Sequence, residues 1–409
     1  MKLLNKLYKL NRTLLSDDNL RTLKIIQNEI PIRIHKFKSN TKCFDWTIPK
    51  KWTVKKAILK DSSGNIIINA KNNILHLVNY SVSFNGKITI NELKKHLYYD
   101  DKLQEAIPYR TSYYSKNWGF CLSYNKYLEL KDKYYYVDID TEFEDGDLLI
   151  GEALIKGKSD REVILSSYYC HPNQINDGLS GVFLLTKLYN KLKNLDLKYT
   201  YRFFFWPETI GALTALSQGL IKSDNVEYAL VSTTVGHGEV VNYKKTYLDN
   251  HSIDNIVEDI DDVNLISYNP IGSDERQFSS KGVRIPTGVL TLTPYEKYKE
   301  YHTSLDNFDL ISMNNINKML DLYIKIVVSY EQYDKYKLVT DGGEPFLTKY
   351  NLYREIGIPG HSKNELIRNW IIHYCDGSKN IKDISKLIKV SENTIMKFIK
   401  TFKLKGLIT

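Results

Sequence analysis

The stretch that decides the fold runs from residue 161 to residue 211 and reads REVILSSYYCHPNQINDGLSGVFLLTKLYNKLKNLDLKYTYRFFFWPETIG. REVILSSYY and TYRFFFW are apolar-rich runs bounded by polar loops, which is typical of buried strands. The segment between them, LSGVFLLTKLYNKLKNL, carries an apolar stripe at helical spacing. A strand, a helix and a second strand in this order predict an α/β layer with a largely parallel sheet, flanked by helices.

The same alternation continues beyond this stretch. ALTALSQGLI is a second predicted helix, YALVSTTV a third strand, and residues 309–332 are predicted to form a long closing helix. In open α/β sheets, ligands bind outside the carboxyl ends of the strands. The polar loops CHPNQINDG and PETIG both lie at such ends, so we expect the functional site there.

The segments around this layer differ in texture. Residues 13–30 have helical spacing, with Ser16 or Asp17 as the N-cap. From Phe44 to about Ile155, short alternating runs separated by Gly and Asp predict a β-rich segment. The predicted parts are a helical part of the α/β domain at 1–43, an inserted β-rich domain at 44–110, the α/β domain at 111–335, and a linker with a winged-helix-like domain at 336–409.

The C-terminal part is basic and helical. Its sequence predicts three short helices, the last capped by Ser391, in the order of a winged helix. Residues 361–409 hold ten Lys and Arg against four Asp and Glu, so most of the net charge of +9 lies there. The last helix begins with SENTIMKF, in which few side chains suit base edges and Glu392 would repel phosphates. We therefore do not expect a nucleic-acid partner.

Composition excludes several classes of protein. The chain of 409 residues is 42% hydrophobic and 26% charged, with a mean hydropathy of −0.37, which is typical of globular domains. No apolar run approaches the ~18 residues of a membrane span, and Asn5 and Lys6 interrupt the N-terminal run too early for a signal peptide. The 4 cysteines form no C-x-x-C pair, so neither disulfides nor a thiolate zinc site are indicated. We expect a cytoplasmic protein.

Histidine and acidic side chains cluster at the carboxyl edge of the predicted sheet. His171 and Asp177 bracket the loop after the first strand, Glu208 follows the second strand, and His302 lies in EYHTSLDN. Two histidines and one carboxylate are the ligand set of a catalytic zinc with an open coordination position. Zinc lowers the pKa of water to near 7, and a nearby carboxylate can then accept its proton. Glu208 is the candidate for this base.

Each of these residues also has a structural interpretation. A single histidine is more often a hydrogen-bonding or surface group than a metal ligand. Asp177 could cap the following helix, and Glu208 could occupy a first helical turn. Cys170 beside His171 suggests a Cys/His nucleophile, but neighbouring strand-end residues point to opposite faces, which favours a buried thiol. Their joint placement at one edge of one sheet favours the metal site.

Four motifs carry a resemblance to a known family. They are CHPNQINDGLSG, WPETIGALTA, GSDERQF and TPYEKYKEYHTSLDN, supported by FDWTIPKKW and AIPYRTSYYSKNWGFCLS in the β-rich segment. In this order they resemble the aminopeptidase-like family found beside polysaccharide-biosynthesis genes, which is related to zinc aminopeptidases and glutaminyl cyclases. The resemblance spans nearly the whole chain. It implies a zinc-aminopeptidase-like fold and a zinc-dependent hydrolase.

The resemblance implies a role for individual residues. His171 and His302 match metal-binding histidines, and Asp177 matches the carboxylate that bridges two zinc ions in dinuclear relatives. Glu208 matches the general base. Tyr301 matches a tyrosine that hydrogen-bonds the tetrahedral oxyanion in relatives, with simple packing on the sheet as the alternative.

The motif GSDERQF matches a loop that lines the substrate pocket in the family. The resemblance therefore implies that Asp274, Glu275 and Arg276 bind the substrate. Arg276 could hold a substrate carboxylate through two parallel hydrogen bonds. An ion pair within the DER run is the alternative.

Two ligands of a second metal are missing from this chain. In aminopeptidases of the related families, a second glutamate follows the base, and here that position is Thr209. Another metal-binding aspartate is expected at the end of the third strand, where this chain has Thr233. The resemblance thus implies one zinc ion, held by Asp177 and the two matched histidines. His237 in VGHGE is either a replacement ligand or an ordinary loop residue.

Three functions remain open at this stage. The leading hypothesis is a metallohydrolase that cleaves an amide of an amino acid, a short peptide or an aminoacyl-sugar. The alternatives are glutaminyl-cyclase-like acyl transfer, which also uses one zinc, and a non-catalytic metal- or ligand-binding protein whose winged-helix tail contacts DNA or protein. The β-rich segment, with Trp46, Arg110 and Trp118, is interpreted either as the pocket entrance or as a contact in a homo-oligomer.

Overall fold

The computed structural model describes residues 1–340, 342–353, 360 and 362–409, so part of the predicted linker lies outside the described residues. By their internal contacts, the described residues divide into two compact units. The first unit consists of Met1–Asp249 and Ile260–Lys325, and the second of Asn250–Asp259 and Ile326–Thr409.

The described residues contain sixteen strands. They are β1 (Arg33–Lys38), β2 (Lys42–Cys43), β3 (Trp46–Thr47), β4 (Lys51–Lys60), β5 (Ile66–Asn69), β6 (Phe84–Thr89), β7 (Leu97–Tyr98), β8 (Phe120–Cys121), β9 (Tyr134–Glu144), β10 (Asp147–Ile155), β11 (Glu162–Tyr168), β12 (Thr200–Trp206), β13 (Val226–Ser232), β14 (Val241–Lys244), β15 (Val263–Ile266) and β16 (Thr287–Thr291).

The same residues contain twelve α-helices. They are α1 (Lys2–Tyr8), α2 (Asp17–Gln27), α3 (Ile90–Leu93), α4 (Tyr124–Leu128), α5 (Leu179–Leu192), α6 (Ile210–Ser217), α7 (Ser252–Glu258), α8 (Glu275–Phe278), α9 (Met313–Glu331), α10 (Lys363–Tyr374), α11 (Ile381–Ile388) and α12 (Glu392–Leu404). No helix among the described residues is long and apolar enough to cross a membrane.

Eight strands form the central sheet of the first unit, in the order β1-β10-β12-β11-β13-β16-β14-β15. β11 pairs in parallel with β12 and β13, as do β13 with β16 and β14 with β15. The remaining neighbours in this sheet are antiparallel. The sheet is therefore mixed and largely parallel, which confirms the predicted fold class.

β11 and β12, the strands predicted from REVILSSYY and TYRFFFW, lie in the middle of this sheet and are covered on both faces. On one face, Phe203 of β12 packs edge-on against Tyr189 of α5, with 5.4 Å between the ring centres. On the other face, Trp206 packs against Phe278 of α8 at 6.0 Å. Strands that are buried on both faces have continuous apolar sequences. This is why TYRFFFW shows no polar alternation.

A second sheet has four antiparallel strands in the order β5-β4-β9-β6. Its longest strand, β9, lies at Tyr134–Glu144, beyond residue 110, where the inserted domain was predicted to end. The next strand along the chain, β10, is not part of this sheet and pairs with β1 and β12 in the central sheet. Two further sheets of two strands each are β2-β3 and β7-β8, so the β-rich segment that extends to about Ile155 contributes strands to four sheets.

In the second unit, three helices follow one another at the C-terminus, as the sequence predicts. Ser362 caps α10 and Asn380 caps α11, each in a reciprocal capping box. The side chain of Ser391 accepts a hydrogen bond from the backbone N–H of Thr394 and caps α12. Apolar faces of the three helices share one core, which includes Ile371, Ile384, Ile395, Ile399 and Phe402.

Candidate metal centre

His171, Asp177 and His302 meet at the carboxyl edge of the central sheet. Nδ1 of His171 lies 3.1 Å from Oδ2 of Asp177, and Nε2 of His302 lies 3.0 Å from the same oxygen. One ligand atom from each residue lies within 4.8 Å of the other two. Ligands that share one tetrahedral zinc at ~2.1 Å are roughly 3.4 Å apart. The separations of these atoms therefore suit a single ion.

The bonding state of the same three atoms tests this fit. Nδ1 of His171, Oδ2 of Asp177 and Nε2 of His302 are buried, and none forms a hydrogen bond with any described residue outside this cluster. A buried polar atom without a partner is costly. Imidazole nitrogen and carboxylate oxygen are also donor atoms that zinc accepts. Three convergent, unpartnered donor atoms therefore fit a zinc ion.

Electrostatics of the cluster lead to the same conclusion. Burial by itself would raise the pKa of Asp177, but His171 and His302 hold it well below its usual range. Burial would likewise lower the pKa of His171, but the carboxylates of Asp177 and Glu208 raise it well above its usual value. The buried carboxylate thus attracts positive charge to the point where the three donor atoms meet.

The loop that carries Asp177 is fixed by a second carboxylate, which the sequence analysis missed. Asp306 accepts hydrogen bonds from three consecutive backbone N–H groups, those of residues 175–177, at 3.0, 2.6 and 2.9 Å. The hydroxyl of Tyr298 donates to Asp306 at 3.1 Å. Asp306 lies four residues after His302 in EYHTSLDN, so one segment both supplies a donor atom and positions the loop opposite.

The second oxygen of Asp177 is already bonded. The hydroxyl of Tyr168 donates to Oδ1 of Asp177 at 2.5 Å and accepts a hydrogen bond from the hydroxyl of Thr233 at 2.8 Å. Gly178 makes the close approach of this loop to β11 possible. Its φ is +102°, and a Cβ there would lie 2.7 Å from the carbonyl oxygen of Tyr168. The hydroxyl of Tyr168, itself held by Thr233, therefore occupies Oδ1 of Asp177 and leaves Oδ2 for the cluster.

Glu208 lies directly beside the cluster. Its Oε2 is 3.3 Å from Nε2 of His171, and its Oε1 accepts a hydrogen bond of 2.5 Å from the hydroxyl of Ser273. Glu208 lines two cavities, one of about 220 Å³ together with His171 and His302, and one of about 430 Å³ together with Tyr301. Glu208 is therefore shared by the walls of both cavities.

The turn after Glu208 is strained and held from another segment. Thr209 has a φ of +62°, which is an outlier for a β-branched residue. Its backbone N–H donates to Oδ1 of Asp274 at 2.6 Å, and Nε1 of Trp206 donates to Oδ2 at 2.8 Å. Burial, with the nearby charge of Glu208, raises the pKa of Asp274 to about 7. Asp274 thus ties down both sides of the Glu208 turn.

The other residues predicted for the site have the following places. The ring of Tyr301 stacks on His302, with 4.0 Å between the ring centres. Glu275 is fully buried and pairs with Lys244, and Nε of Arg276 donates to the carbonyl oxygen of Ser273 at 3.2 Å. None of residues 274–276 lines either cavity beside Glu208. Substrate binding by these three residues stays a prediction.

Two neighbours of the site are placed apart from the cluster. Cys170 is buried, its sulfur accepts a hydrogen bond from the backbone N–H of Glu208 at 3.1 Å, and burial raises its pKa to about 12. It is therefore a neutral thiol rather than a nucleophile. His237 is not part of the cluster of donor atoms found among the described residues. The alternative of a replacement ligand at this position therefore has no support.

Solved structures define the class of fold. The chain is similar to a zinc aminopeptidase from Bacillus subtilis at 13% identity, with a TM-score of 0.56 over 80% of this chain and 94% of that one. A crystal structure from Clostridium acetobutylicum, described as a proposed peptidase, is 36% identical, with a TM-score of 0.80 over 100% of this chain and 95% of that one. The protein has an aminopeptidase-like α/β fold.

Sequence comparisons define the family. Residues 1–333 match the model of a domain of unknown function, DUF4910, and residues 334–409 match a winged helix-turn-helix model. The chain therefore belongs to the DUF4910 family. It is 39% identical over 391 residues to a Clostridium acetobutylicum protein that is named as a proposed polysaccharide biosynthesis protein with an aminopeptidase-like domain, covering 94% of this chain and 89% of that protein. The resemblance inferred from the four motifs is confirmed.

Proposed function

We propose that this protein is a zinc-dependent hydrolase that cleaves an amide of an amino acid, a short peptide or an aminoacyl-sugar. The observation that carries the proposal is the meeting of three unpartnered donor atoms beside Glu208, which is shared by the walls of two cavities. A bond held at Glu208 would have its acyl part in one cavity and its leaving group in the other. Cavities of a few hundred Å³ suit small substrates.

His171, Asp177 and His302 would hold one zinc ion. When bound, the ion supplies Lewis-acid polarisation of a carbonyl group and makes water more acidic. The hydrogen bond from Tyr168 to Asp177 supports a single ion, because the oxygen that would bridge to a second one is already an acceptor. Thr209 and Thr233 at the two positions of the missing ligands support the same count.

Glu208 would act as the general base. Ser273 donates to Oε1 of Glu208, which leaves Oε2 on the side of His171 to accept a proton from the attacking water. The same carboxylic acid would then return this proton to the nitrogen of the leaving amine. Tyr301 lines the larger cavity and stacks on His302, and its hydroxyl would donate to the oxyanion, an interaction that can contribute ~3 kcal/mol.

Hydrolysis is tested by incubating the full-length protein, with and without added zinc, with aminoacyl anilides and short peptides. We expect zinc-dependent release of the amine. A peptide with N-terminal glutamine separates this function from glutaminyl-cyclase-like acyl transfer, since hydrolysis releases free glutamine and cyclisation leaves a peptide 17 Da lighter, as for any loss of ammonia. Absence of amine release from every substrate, with stoichiometric zinc present, would contradict the proposal.

The remaining expectations concern location and partners. We infer a cytoplasmic protein that acts on a small-molecule or peptide substrate. The β-rich segment remains available either as a pocket entrance or as a contact between copies in a homo-oligomer. Trp46 and Tyr114 in this segment support the first interpretation, because both line the smaller cavity that contains His171 and His302.

A further inference from the structure

A buried lysine lines the larger cavity beside Glu208. Lys244 ends β14 and is 8% exposed, and its Nζ donates to Oε1 of Glu275 at 2.9 Å and to the carbonyl oxygen of Ile271. An ammonium group carries three hydrogens. Within the described residues, no third hydrogen-bond acceptor binds Nζ of Lys244, and the ring of Tyr268 lies beside it with 5.3 Å from Nζ to the ring centre. One N–H of a buried cation therefore remains for a ligand in the cavity.

Glu275, the partner of Lys244, is buried behind the cavity wall and is held tightly there. Oε2 of Glu275 accepts the backbone N–H of Ser273 at 3.0 Å. Gly272 has a φ of +143°, and a Cβ at this position would lie 2.0 Å from Oε1 of Glu275. A buried ion pair seldom stabilises a fold more than apolar residues of the same volume would. Its cost at this place is explained if the cavity uses it for recognition.

The same short segment links this ion pair to the proposed base. The hydroxyl of Ser273 donates a hydrogen bond to Glu208, and its backbone N–H donates one to Glu275. Ser273 therefore bridges the two carboxylates. Most of the cavity wall between them is apolar, and its apolar members include Ile266, Ile271, Val289 and Pro294. The cavity therefore suits a short substrate group with an apolar stem and one polar end.

The charges around the cavity indicate whether the polar end of the substrate group is charged or neutral. Glu275 already neutralises Lys244. Glu296 and Lys297, which line the same cavity, carry opposite charges, and Glu208 adds a further negative charge. A substrate carboxylate would bring a further buried negative charge close to Glu275, which is unfavourable in a low-dielectric site. An uncharged carbonyl oxygen would accept the free N–H without this repulsion.

We propose that the Lys244 cavity binds the acyl side chain of the substrate and selects one that ends in an uncharged amide, as the side chain of glutamine does. Lys244 donates its third N–H to the amide carbonyl oxygen. This assignment rests on the proposed function for the position of the reacting carbonyl beside Glu208, but it predicts a binding preference that is measurable without turnover.

Binding is measured by calorimetry on the zinc-loaded, full-length protein, with the hydroxamates of L-glutamine, L-methionine and L-glutamate as probes. Methionine matches glutamine in length and lacks the acceptor. We expect the glutamine compound to bind about 10-fold more tightly than either of the others, as a hydrogen bond to a charged donor allows. Equal binding of glutamine and methionine compounds, tighter binding of the glutamate compound, or no binding of any probe would overturn the proposal.

Substitution of Lys244 alone would leave Glu275 buried and unpaired, which is strongly destabilising. The test variant is therefore the double substitution Lys244→Met and Glu275→Gln, which removes both charges. We expect it to lose the preference for glutamine and to keep the affinity for methionine hydroxamate. Lys245→Met is the matched control, because Lys245 pairs with Asp249 and does not line the cavity. A double variant that still prefers glutamine would also overturn the proposal.

The proposed function and this inference fail in different ways. If no amide is hydrolysed but the glutamine preference appears and disappears with the ion pair, the cavity assignment stands and the hydrolase proposal fails. If methionyl and glutaminyl anilides are hydrolysed equally well, with equal affinity of their hydroxamates, the hydrolase proposal stands and the cavity assignment fails.

Discussion

The hydroxyl of Tyr168 donates a hydrogen bond of 2.5 Å to Oδ1 of Asp177. The other oxygen of the same carboxylate points to His171 and His302. Oδ1 of Asp177 therefore accepts a hydrogen bond from a hydroxyl, while Oδ2 faces the candidate metal position.

Zinc content is the first test of the cluster. We expect one zinc per chain in the wild-type protein, even after incubation with excess zinc, because only one set of free donor atoms is present in the described residues. His171→Ala and His302→Ala should each lose the ion, as measured by elemental analysis after desalting. His237→Ala is the control and should retain it. One full equivalent of zinc in both test variants would remove the basis of the site.

Removal of the Tyr168 hydroxyl should weaken zinc binding without abolishing it. Tyr168→Phe frees Oδ1 of Asp177 and loosens the orientation of the carboxylate, so we expect a 10- to 100-fold loss of affinity in a chelator competition. Tyr169→Phe is the matched control, since its hydroxyl is also buried but donates to the carbonyl oxygen of Leu149. Equal affinities in the two variants would show that the Tyr168 hydroxyl does not position Asp177.

Glu208→Gln should separate catalysis from metal binding. The amide oxygen of glutamine can still accept hydrogen bonds from Ser273, so the local structure should remain, but it cannot take a proton from water. We expect kcat to fall by about 10²- to 10⁴-fold with unchanged zinc content. Glu239→Gln, an exposed change away from both cavities, should keep full activity. Activity within a factor of two of wild type in Glu208→Gln would exclude the role of base.

Tyr301→Phe tests the oxyanion interaction. Its hydroxyl makes no hydrogen bond within the described residues, and the ring should keep its stacking on His302. We expect kcat to fall by about 10²-fold with little change in KM, because the bond would form only with the transition state. In Tyr247→Phe, where the lost hydroxyl contacts the carbonyl oxygen of Arg284, kcat should be unchanged. A rise in KM alone would assign Tyr301 to substrate binding instead.

Asp274 should make stability depend on pH. Its pKa is raised from 3.8 to about 7 by burial and by Glu208, so between these values the folded protein keeps a proton that the unfolded chain has lost. The free energy of unfolding should therefore fall as pH rises through this range. Asp274→Asn cannot ionise at this position and is the reference. The free energy of unfolding of the wild type, relative to that of this variant, should fall as the pH rises from about 4.5 to about 7.5, as measured by urea titrations with chelator present. A constant difference between the two proteins would contradict the raised pKa.

The sequence by itself determined the class of fold and the chemical identity of the candidate site. REVILSSYY and TYRFFFW are rich in apolar residues without a polar alternation because both strands are buried on two faces, so their pattern alone predicts the layer. The carboxyl ends of parallel strands lie at one edge of a sheet, so the sequence alone predicts that His171 and Glu208 lie close together. The family motifs then identified His302, which lies more than a hundred residues after His171 in the sequence.

Only the tertiary structure decided what surrounds these residues. Tyr168, Asp306 and Ser273 act through hydrogen bonds to partners that are distant in sequence or on a neighbouring loop, and no local periodicity encodes such pairings. Burial also changes the role of a charged residue: Asp274 looks like a pocket residue in GSDERQF, yet it lies beneath the Glu208 turn. Pattern and composition set which faces are apolar, whereas the contacts of individual polar atoms depend on how loops from separate segments pack together.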